Sequence, residues 1–362
     1  MKILHFGSNY LPSKGGNVVR MTSMLENNQT KCELFVMTTA CSSDFDDEKY
    51  YDETGIRVFR IKTLEQAKTE LVRVVKEYSI DIVVTHIIPA NLIACRFLPK
   101  NVIIMTEVHS LIDSGKLKNI LKCLLHRFAL NRRTKKYFVL SLGAAHYIKK
   151  NYGVKDENII FLPNGFRGKE LSQKQGNKDF FTFGYVGTFY SWQGIDIISD
   201  NIERILSIGK NVRVYLVGGG QREDELKKRA AESNGRLVVT GLVDKKEVKK
   251  HMQEIDILMI PRPSTLETET AIPLKIFDSI ENGKPVIISD VFGLTEVLGE
   301  NEAFVFDKKD KNGLYEACFK AYNNPALCSK KFKNAVSRME KWPSWEEIHE
   351  RQYTAFKEVL NK

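Results

Sequence analysis

The sequence predicts an α/β protein built from two Rossmann-like, doubly wound parallel-sheet domains facing a central cleft. Three observations carry that expectation. Short apolar runs of strand character alternate with segments of helical periodicity along all 362 residues, the pattern of parallel sheets covered by helices. The alternation pauses at a polar, glycine-bearing stretch from Arg167 to Asp179 and then restarts. Each half also opens on a glycine-bearing strand-to-helix loop, and a cleft between two such domains is where a ligand is expected. The length exceeds what one core usually holds. The expected boundaries are 1–166, 167–344 and a closing amphipathic helix over 345–362 that crosses back to the first domain.

In the first half, MKILHFG reads as a strand and SNYLPSKGGN as a loop, with VVRMTSMLENN at helical spacing after it. CELFVMTT and GIRVFRI are strands, LEQAKTELVRVVKEY an amphipathic helix, and IDIVVT a buried strand. NVIIMTEVHS and KKYFVLS follow as strands, and NIIFLPNG ends on a turn signal. In the second half FTFGYVG runs into the loop TFYSWQG, and IDIISDNIERILSIG is a helix. VRVYLVGGG, RLVVTG, IDILMI, KPVIIS and EAFVFD are strands. They alternate with the helices EDELKKRAAES, KKEVKKHMQEI, GLYEACFKAYNN and the tail WEEIHERQYTAFKEVLNK.

Composition narrows the function. No run approaches the roughly 18 apolar residues of a membrane-spanning helix, and the N-terminus reads as a first strand instead of a signal peptide. Six scattered cysteines without CxxC spacing fit structural thiols of a reducing cytosol. A net charge of +10 points to an anionic partner. It does not point to nucleic acid, because no binding motif is present and the charge is concentrated in one segment. A Rossmann dehydrogenase is a poor fit, since VGGGQ lacks the GxGxxG spacing and the ribose acid downstream.

The stretch Pro261 to Asp290, PRPSTLETETAIPLKIFDSIENGKPVIISD, organises the second half. It reads as the end of a strand, an acid-bearing polar loop, a helix opened by Pro273, a stop at Gly283 and another strand. Such a loop lies at the C-terminal end of a parallel strand and at a helix start, where anions meet free backbone N–H groups. With YVGTFYSWQGID, VYLVGGGQREDEL, VVTGLVDKKEV and GLTEVL in order around it, the chain resembles glycosyltransferase family 4 (glycosyl transferases group 1), of GT-B fold. LPSKGGN, IDIVVTH, EVH and LPNG extend the resemblance over the first half.

That resemblance implies a retaining transfer of a sugar from a nucleotide-diphosphate donor, a UDP- or GDP-sugar, to a glycan or lipid-linked acceptor in cell-surface polysaccharide or glycoconjugate assembly. No cofactor or metal is expected. It places Gly15, Gly16, Gly187, Thr188, Gln193, Gly218, Leu242, Val243, Arg262, Thr270, Ala271, Ile272, Pro273, Asp278 and Glu296 around the donor. Asn17, His86 and Glu107 fall on the acceptor side. Glu269 is assigned to the sugar hydroxyls and Asp278 to the ribose, both tasks that suit carboxylates. The family's usual Arg and Lys on the diphosphate are replaced by Thr188 and Gln193, which leaves Arg262 and Lys275 to supply the charge a departing diphosphate needs. A snorkelling Lys275 and solvated loop acids are the plainer readings. His109, Glu269 and Lys275 are the catalytic candidates, and Glu107 either orients His109 or is held by backbone. The alternative function is a non-catalytic sugar-nucleotide-binding partner of a glycan assembly complex.

From Ser114 to Lys136 the chain carries eight Lys or Arg and no acid. Leu117, Ile120, Leu121, Leu124, Leu125, Phe128 and Leu130 are spaced for one helical face. This is either a basic amphipathic helix for an anionic membrane surface or a core helix with a solvated basic side. The first reading gives a cytoplasmic protein, peripheral on the inner face of the cell membrane.

Overall fold

The computed structural model describes residues 1–7, 10–11, 16–26, 31–38, 49–51, 55–61, 64–86, 93–109, 111–127, 131–168 and 179–361. It divides into two compact units, Met1–Gly165 with Pro343–Lys362, and Phe166–Trp342.

In the first unit the elements run β1 (Lys2–Gly7), α1 (Gly16–Glu26), β2 (Glu33–Thr38), β3 (Lys49–Tyr51), β4 (Arg57–Arg60), α2 (Leu64–Glu77), β5 (Ile82–His86) and β6 (Ile103–Val108). Then come α3 (Lys116–Leu125), β7 (Thr134–Val139), α4 (Leu142–Tyr147) and β8 (Ile159–Phe161). The sheet order is β3-β4-β2-β1-β5-β6-β7-β8, parallel except for the β3–β4 pair. The strands are apolar on both faces because helices cover both. Ile3 and Ile82 belong to one buried cluster, and Leu4 and Val83 to the other.

The second unit continues with β9 (Phe181–Val186), α5 (Ile195–Leu206), β10 (Val212–Val217), α6 (Glu223–Ala231), β11 (Leu237–Val239), α7 (Lys245–Gln253) and β12 (Ile257–Ile260). Next are α8 (Leu266–Thr270), α9 (Lys275–Glu281), β13 (Val286–Ser289), α10 (Phe292–Thr295), β14 (Phe304–Phe306), α11 (Gly313–Tyr322) and α12 (Pro325–Met339). Its strand order, β11-β10-β9-β12-β13-β14, is fully parallel and is the doubly wound 3-2-1-4-5-6 order. Alternate β12 residues divide between its two cores: Ile257 and Met259 on one face, Leu258 and Ile260 on the other.

The chain then returns to the first unit as α13 (Trp345–Leu360). Ser344 and Glu347 form a reciprocal capping box that starts this helix, as the S-x-x-E spacing allows. Ile348, Ala355 and Phe356 join Met21, Met24 and Leu25 of α1 in one cluster; each of these side chains larger than alanine contributes about 1.5–3 kcal/mol.

Four local features depart from the sequence-based expectation. The short antiparallel β3 and the helix α12 were not anticipated, although Asn324-Pro325 is a helix-start signal. The acid-bearing loop after β12 contains the helix α8, made possible by a Thr265–Thr268 capping box. The basic segment is not one helix: α3 ends at Leu125, and Thr134–Lys136 belong to β7. Phe128 and Leu130 lie outside the described residues, as does most of the polar stretch from Arg167 to Asp179.

Candidate active site

Each sheet reverses its winding direction at one place, and open α/β sheets bind ligands outside the C-terminal ends of the strands there. In the second unit that place lies between β9 and β12. The turn after β9 uses Gly187, whose φ is +150°. A Cβ on Gly187 would stand 2.8 Å from Lys275 Nζ, so the glycine makes room for that ammonium. Gly194, with φ +91°, starts α5, and a Cβ there would meet Pro261 O at 1.9 Å. The two loops at the switch point therefore touch through a position that only glycine fills.

Two cations converge on these loops. Lys275 opens α9; its Nζ is shielded from solvent, has no hydrogen-bond partner among the described residues, and lies 4.6 Å over the Tyr185 ring. Burial pushes its pKa down to about 7, with Arg262 adding to the shift and Asp278 opposing it. Arg262 is 4% exposed. It donates from Nη1 to Ala271 O at 3.2 Å and faces Gln193 Oε1 from Nη2 at 3.5 Å, while its Nε has no partner among the described residues. The guanidinium stacks over Trp192 at 5.4 Å, and Ser289 Oγ fixes its backbone by donating to Arg262 O. Burial lowers the Arg262 pKa to about 10, opposed by Glu267 and Tyr185. Two desolvated cations with unsatisfied donors form an anion-binding arrangement, because a buried charge without a partner is costly. One cation reaches Gly187, next to Thr188, and the other reaches Gln193, so charge is present beside both neutral positions.

The acids of α8 have different surroundings. Glu269 accepts from Ser264 Oγ and Lys308 Nζ, both at 2.6 Å, and from the Phe292 N–H at 2.7 Å. Against desolvation, which would raise it, these partners hold its carboxyl below the ordinary value. Glu269 thus ion-pairs with Lys308 and accepts the first N–H of α10. Glu267 is half-buried, makes no hydrogen bond among the described residues, and has its pKa raised by desolvation against the pull of Arg262. Its charged neighbour is Arg262, whereas the acid acting on Lys275 is Asp278.

Thr270 is buried and donates to Leu266 O; Ile272 lies in the core, and Pro273 is buried. Asp278 is exposed on the first turn of α9. Gly218 donates its N–H to Gly241 O and Thr240 Oγ1, which occupies that donor. Leu242 is 77% exposed, Val243 packs on the core, and Glu296 ends α10. Thr188 is exposed, and its carbonyl accepts from Tyr185 Oη.

In the first unit the reversal falls between β1 and β5, and His86 ends β5. His86 pairs in register with Glu107 on β6, and His109 lies two residues further along. His86 Nδ1 stands 2.5 Å from His109 Nε2, which is 3.2 Å from Glu107 Oε1. Arg20, 1% exposed, donates to Glu107 Oε1 at 2.7 Å and to Leu162 O, Pro163 O and Asn164 Oδ1. Glu107, despite desolvation, is held well below the usual carboxylate range chiefly by the Arg20 guanidinium. Burial pushes His109 down to about 3 and the neighbouring His5 to about 4. Gly16 and Asn17 open α1 and are exposed; Gly15 lies outside the described residues. Sequence reading overlooked Arg20, though an arginine within the apolar face of VVRMTSML was its signal. Lys308 and Trp192 carried none.

His86, Glu107 and His109 are the one cluster with metal-ligand spacing among the described residues. The fit is poor. Two nitrogens on one tetrahedral zinc stand about 3.3 Å apart, given ~2.0–2.1 Å bonds, and Arg20 already neutralises Glu107.

Two doubly wound sheets, each with its polar cluster at the switch point, define a GT-B fold. Residues 181–324 match the family model described as glycosyl transferases group 1, and residues 18–167 match glycosyltransferase family 4. The chain belongs to glycosyltransferase family 4 and is an enzyme that moves a sugar from a nucleotide-diphosphate-sugar donor to an acceptor. No curated protein sequence matches it. Among solved structures it is similar to a sucrose-phosphate synthase from Thermosynechococcus elongatus, with 15% identity, TM-score 0.74 and 100% of both chains covered. Anabaena HepE in complex with UDP gives 15% identity and TM-score 0.76 over 99% of this chain and 100% of that one. The apo lipopolysaccharide outer core galactosyltransferase WaaB gives 16%, 0.72, 99% and 100%. At these identities the likeness concerns the fold.

Proposed function

We propose that the protein is a retaining, metal-independent glycosyltransferase that uses a UDP- or GDP-sugar and a glycan or lipid-linked acceptor in cell-surface glycan assembly. The observation that carries this reading is the Lys275–Arg262 pair, shielded at the β9/β12 switch point with donors left unsatisfied among the described residues. A departing diphosphate gains negative charge as the sugar–oxygen bond breaks, and preorganised cations stabilise that charge without reorganisation. Two side-chain cations fill the role a metal would otherwise take. The donor phosphate itself takes the proton from the acceptor hydroxyl, so no strong protein base is needed. Asp278 is assigned to the ribose, Leu242 and Val243 to the base, His109 to the transferred sugar, and Asn17 to the acceptor side. Glu267 replaces Glu269 as the acid nearest the sugar, because its carboxylate is uncommitted and faces Arg262. The UDP held by HepE supports the donor class. A panel of nucleotide sugars incubated with cell membranes should give nucleotide release with one or a few donors. Binding without turnover across the full panel would make the protein a non-catalytic sugar-nucleotide partner.

Membrane association is part of the same proposal. The helix α3 has no buried residue; Leu117 is 83% and Leu121 67% exposed, with Ile120, Leu124 and Ile112 also exposed. Lys116, Lys118 and Lys122 flank that apolar face. The helix is anchored at its ends, where Asp113 accepts from Asn119 and Gly115 and His126 stacks on Tyr152 at 3.9 Å. Arg127 bonds the carbonyls of Lys150 and Asn151 and is structural. A prefolded helix with an uncovered apolar stripe and a basic rim suits an anionic leaflet. K116E/K118E should weaken sedimentation with anionic vesicles by about 30-fold or more, at about 1 kcal/mol per charge. Unchanged sedimentation would rule out the membrane role.

A further inference from the structure

We propose that His86 is a positioning residue that fixes the ring tautomer of His109, accepting the His109 Nε2 proton at its own Nδ1 and leaving His109 Nδ1 as a bare acceptor. The assignment follows from a proton count. At 2.5 Å, His86 Nδ1 and His109 Nε2 share one proton: two lone pairs would repel, and two N–H groups would collide. Glu107 Oε1, 3.2 Å from His109 Nε2, decides which nitrogen carries it. A carboxylate beside an imidazole nitrogen favours N–H there, and Arg20 on the same oxygen holds Glu107 ionised and in place. Both rings are neutral at pH 7, because burial lowers each of them.

The arrangement follows from the sheet. His86 and Glu107 are register partners on adjacent parallel strands, and His109, two residues beyond Glu107, falls on the same side. The tautomer of His86 follows in turn. Its proton sits on Nε2, a buried nitrogen with no partner among the described residues. Gly7 packs against this side of the ring, since a Cβ there would come within 2.9 Å of Cδ2 and 3.3 Å of Nε2. The histidine pair thus offers one fixed acceptor, His109 Nδ1, on the ring that is 19% exposed, with His86 buried behind it.

The catalytic consequence rests on the glycosyltransfer reading, whereas the tautomer does not, so the test has two arms. In full-length protein with 15N-labelled histidine, long-range correlation spectra at pH 7 should show His109 protonated at Nε2 and bare at Nδ1. H86N, whose amide oxygen can stand where Nδ1 stood, should preserve that pattern; H86L, which removes the acceptor at 2.5 Å and leaves only the longer 3.2 Å contact to Glu107, should shift His109 toward mixed tautomers. In the kinetic arm, H86L should lower kcat about tenfold or more with little change in donor KM, and H86N should restore most of it. A wrong tautomer costs up to about 10⁴-fold where the ring is the general base. A wild-type His109 protonated at Nδ1, or an H86L spectrum identical to wild type, overturns the proposal. Absence of turnover in every variant counts against the glycosyltransfer reading, and the spectra then decide the tautomer by themselves.

Discussion

Replacing Lys275 with Met should make the nucleotide-free protein more heat-stable while lowering kcat/KM by about 10²–10³-fold, the loss typical of removing one group that stabilises transition-state charge. The two effects share one cause. Lys275 Nζ is shielded, lacks a hydrogen-bond partner among the described residues and sits near the Arg262 guanidinium. Its pKa is lowered from 10.5 to about 7, so between those values the unfolded chain binds the extra proton and stability rises with pH. The penalty is fully present below about pH 7 and is relieved as the pH approaches 10.5. The stability advantage of K275M should therefore be largest at about pH 6–7 and shrink toward about pH 10. Thermal melts across that range check it. A mutant that loses both stability and activity would mean that Lys275 is a packing residue.

Replacing Arg20 with Met should destabilise the first unit by about 3–5 kcal/mol, as expected when one partner of a buried ion pair is removed. That corresponds to a Tm fall on the order of 10 °C. Arg20 and Glu107 are 1% and 2% exposed, and the same guanidinium ties α1 to the Leu162 and Pro163 carbonyls and the Asn164 side chain through three further bonds. The mutant leaves a buried carboxylate facing two neutral histidines and no cation. Replacing both members with apolar residues, R20M/E107L, should recover much of the loss, because the uncompensated charge goes with them. Hydrogen exchange at the β1, β5 and β6 amides localises the effect; unchanged protection in R20M would contradict it.

The architecture was legible because strand and helix periods differ and both recur along the chain. The exceptions are elements whose signals are short. β3 spans three residues, and α8 hides in LETET, where a capping box of two threonines replaces the usual Glu or Gln. That helix also separates the two acids. In a loop, Glu267 and Glu269 are equivalent candidates. On a helix, two residues apart means about 200° of rotation, so the two point to opposite sides. One meets Lys308 and the α10 amide, the other Arg262. Lys275 was legible as the single charge in PLKIF, and Arg262 as a charge between prolines. That their cationic ends reach Gly187 and Gln193 depends on the β9–β12 pairing, which no local pattern encodes.

The most direct measurement is calorimetric titration of the full chain with UDP and GDP at about pH 8, in two buffers of different ionisation enthalpy. A diphosphate seated on Lys275 raises its pKa again, so binding should take up close to one proton, by about the shift that burial imposes. Saturable binding of at least one nucleotide with that uptake is the predicted result, and K275M should lose both. Binding without proton uptake, K275M binding as tightly as wild type, or no nucleoside diphosphate binding at all would contradict it.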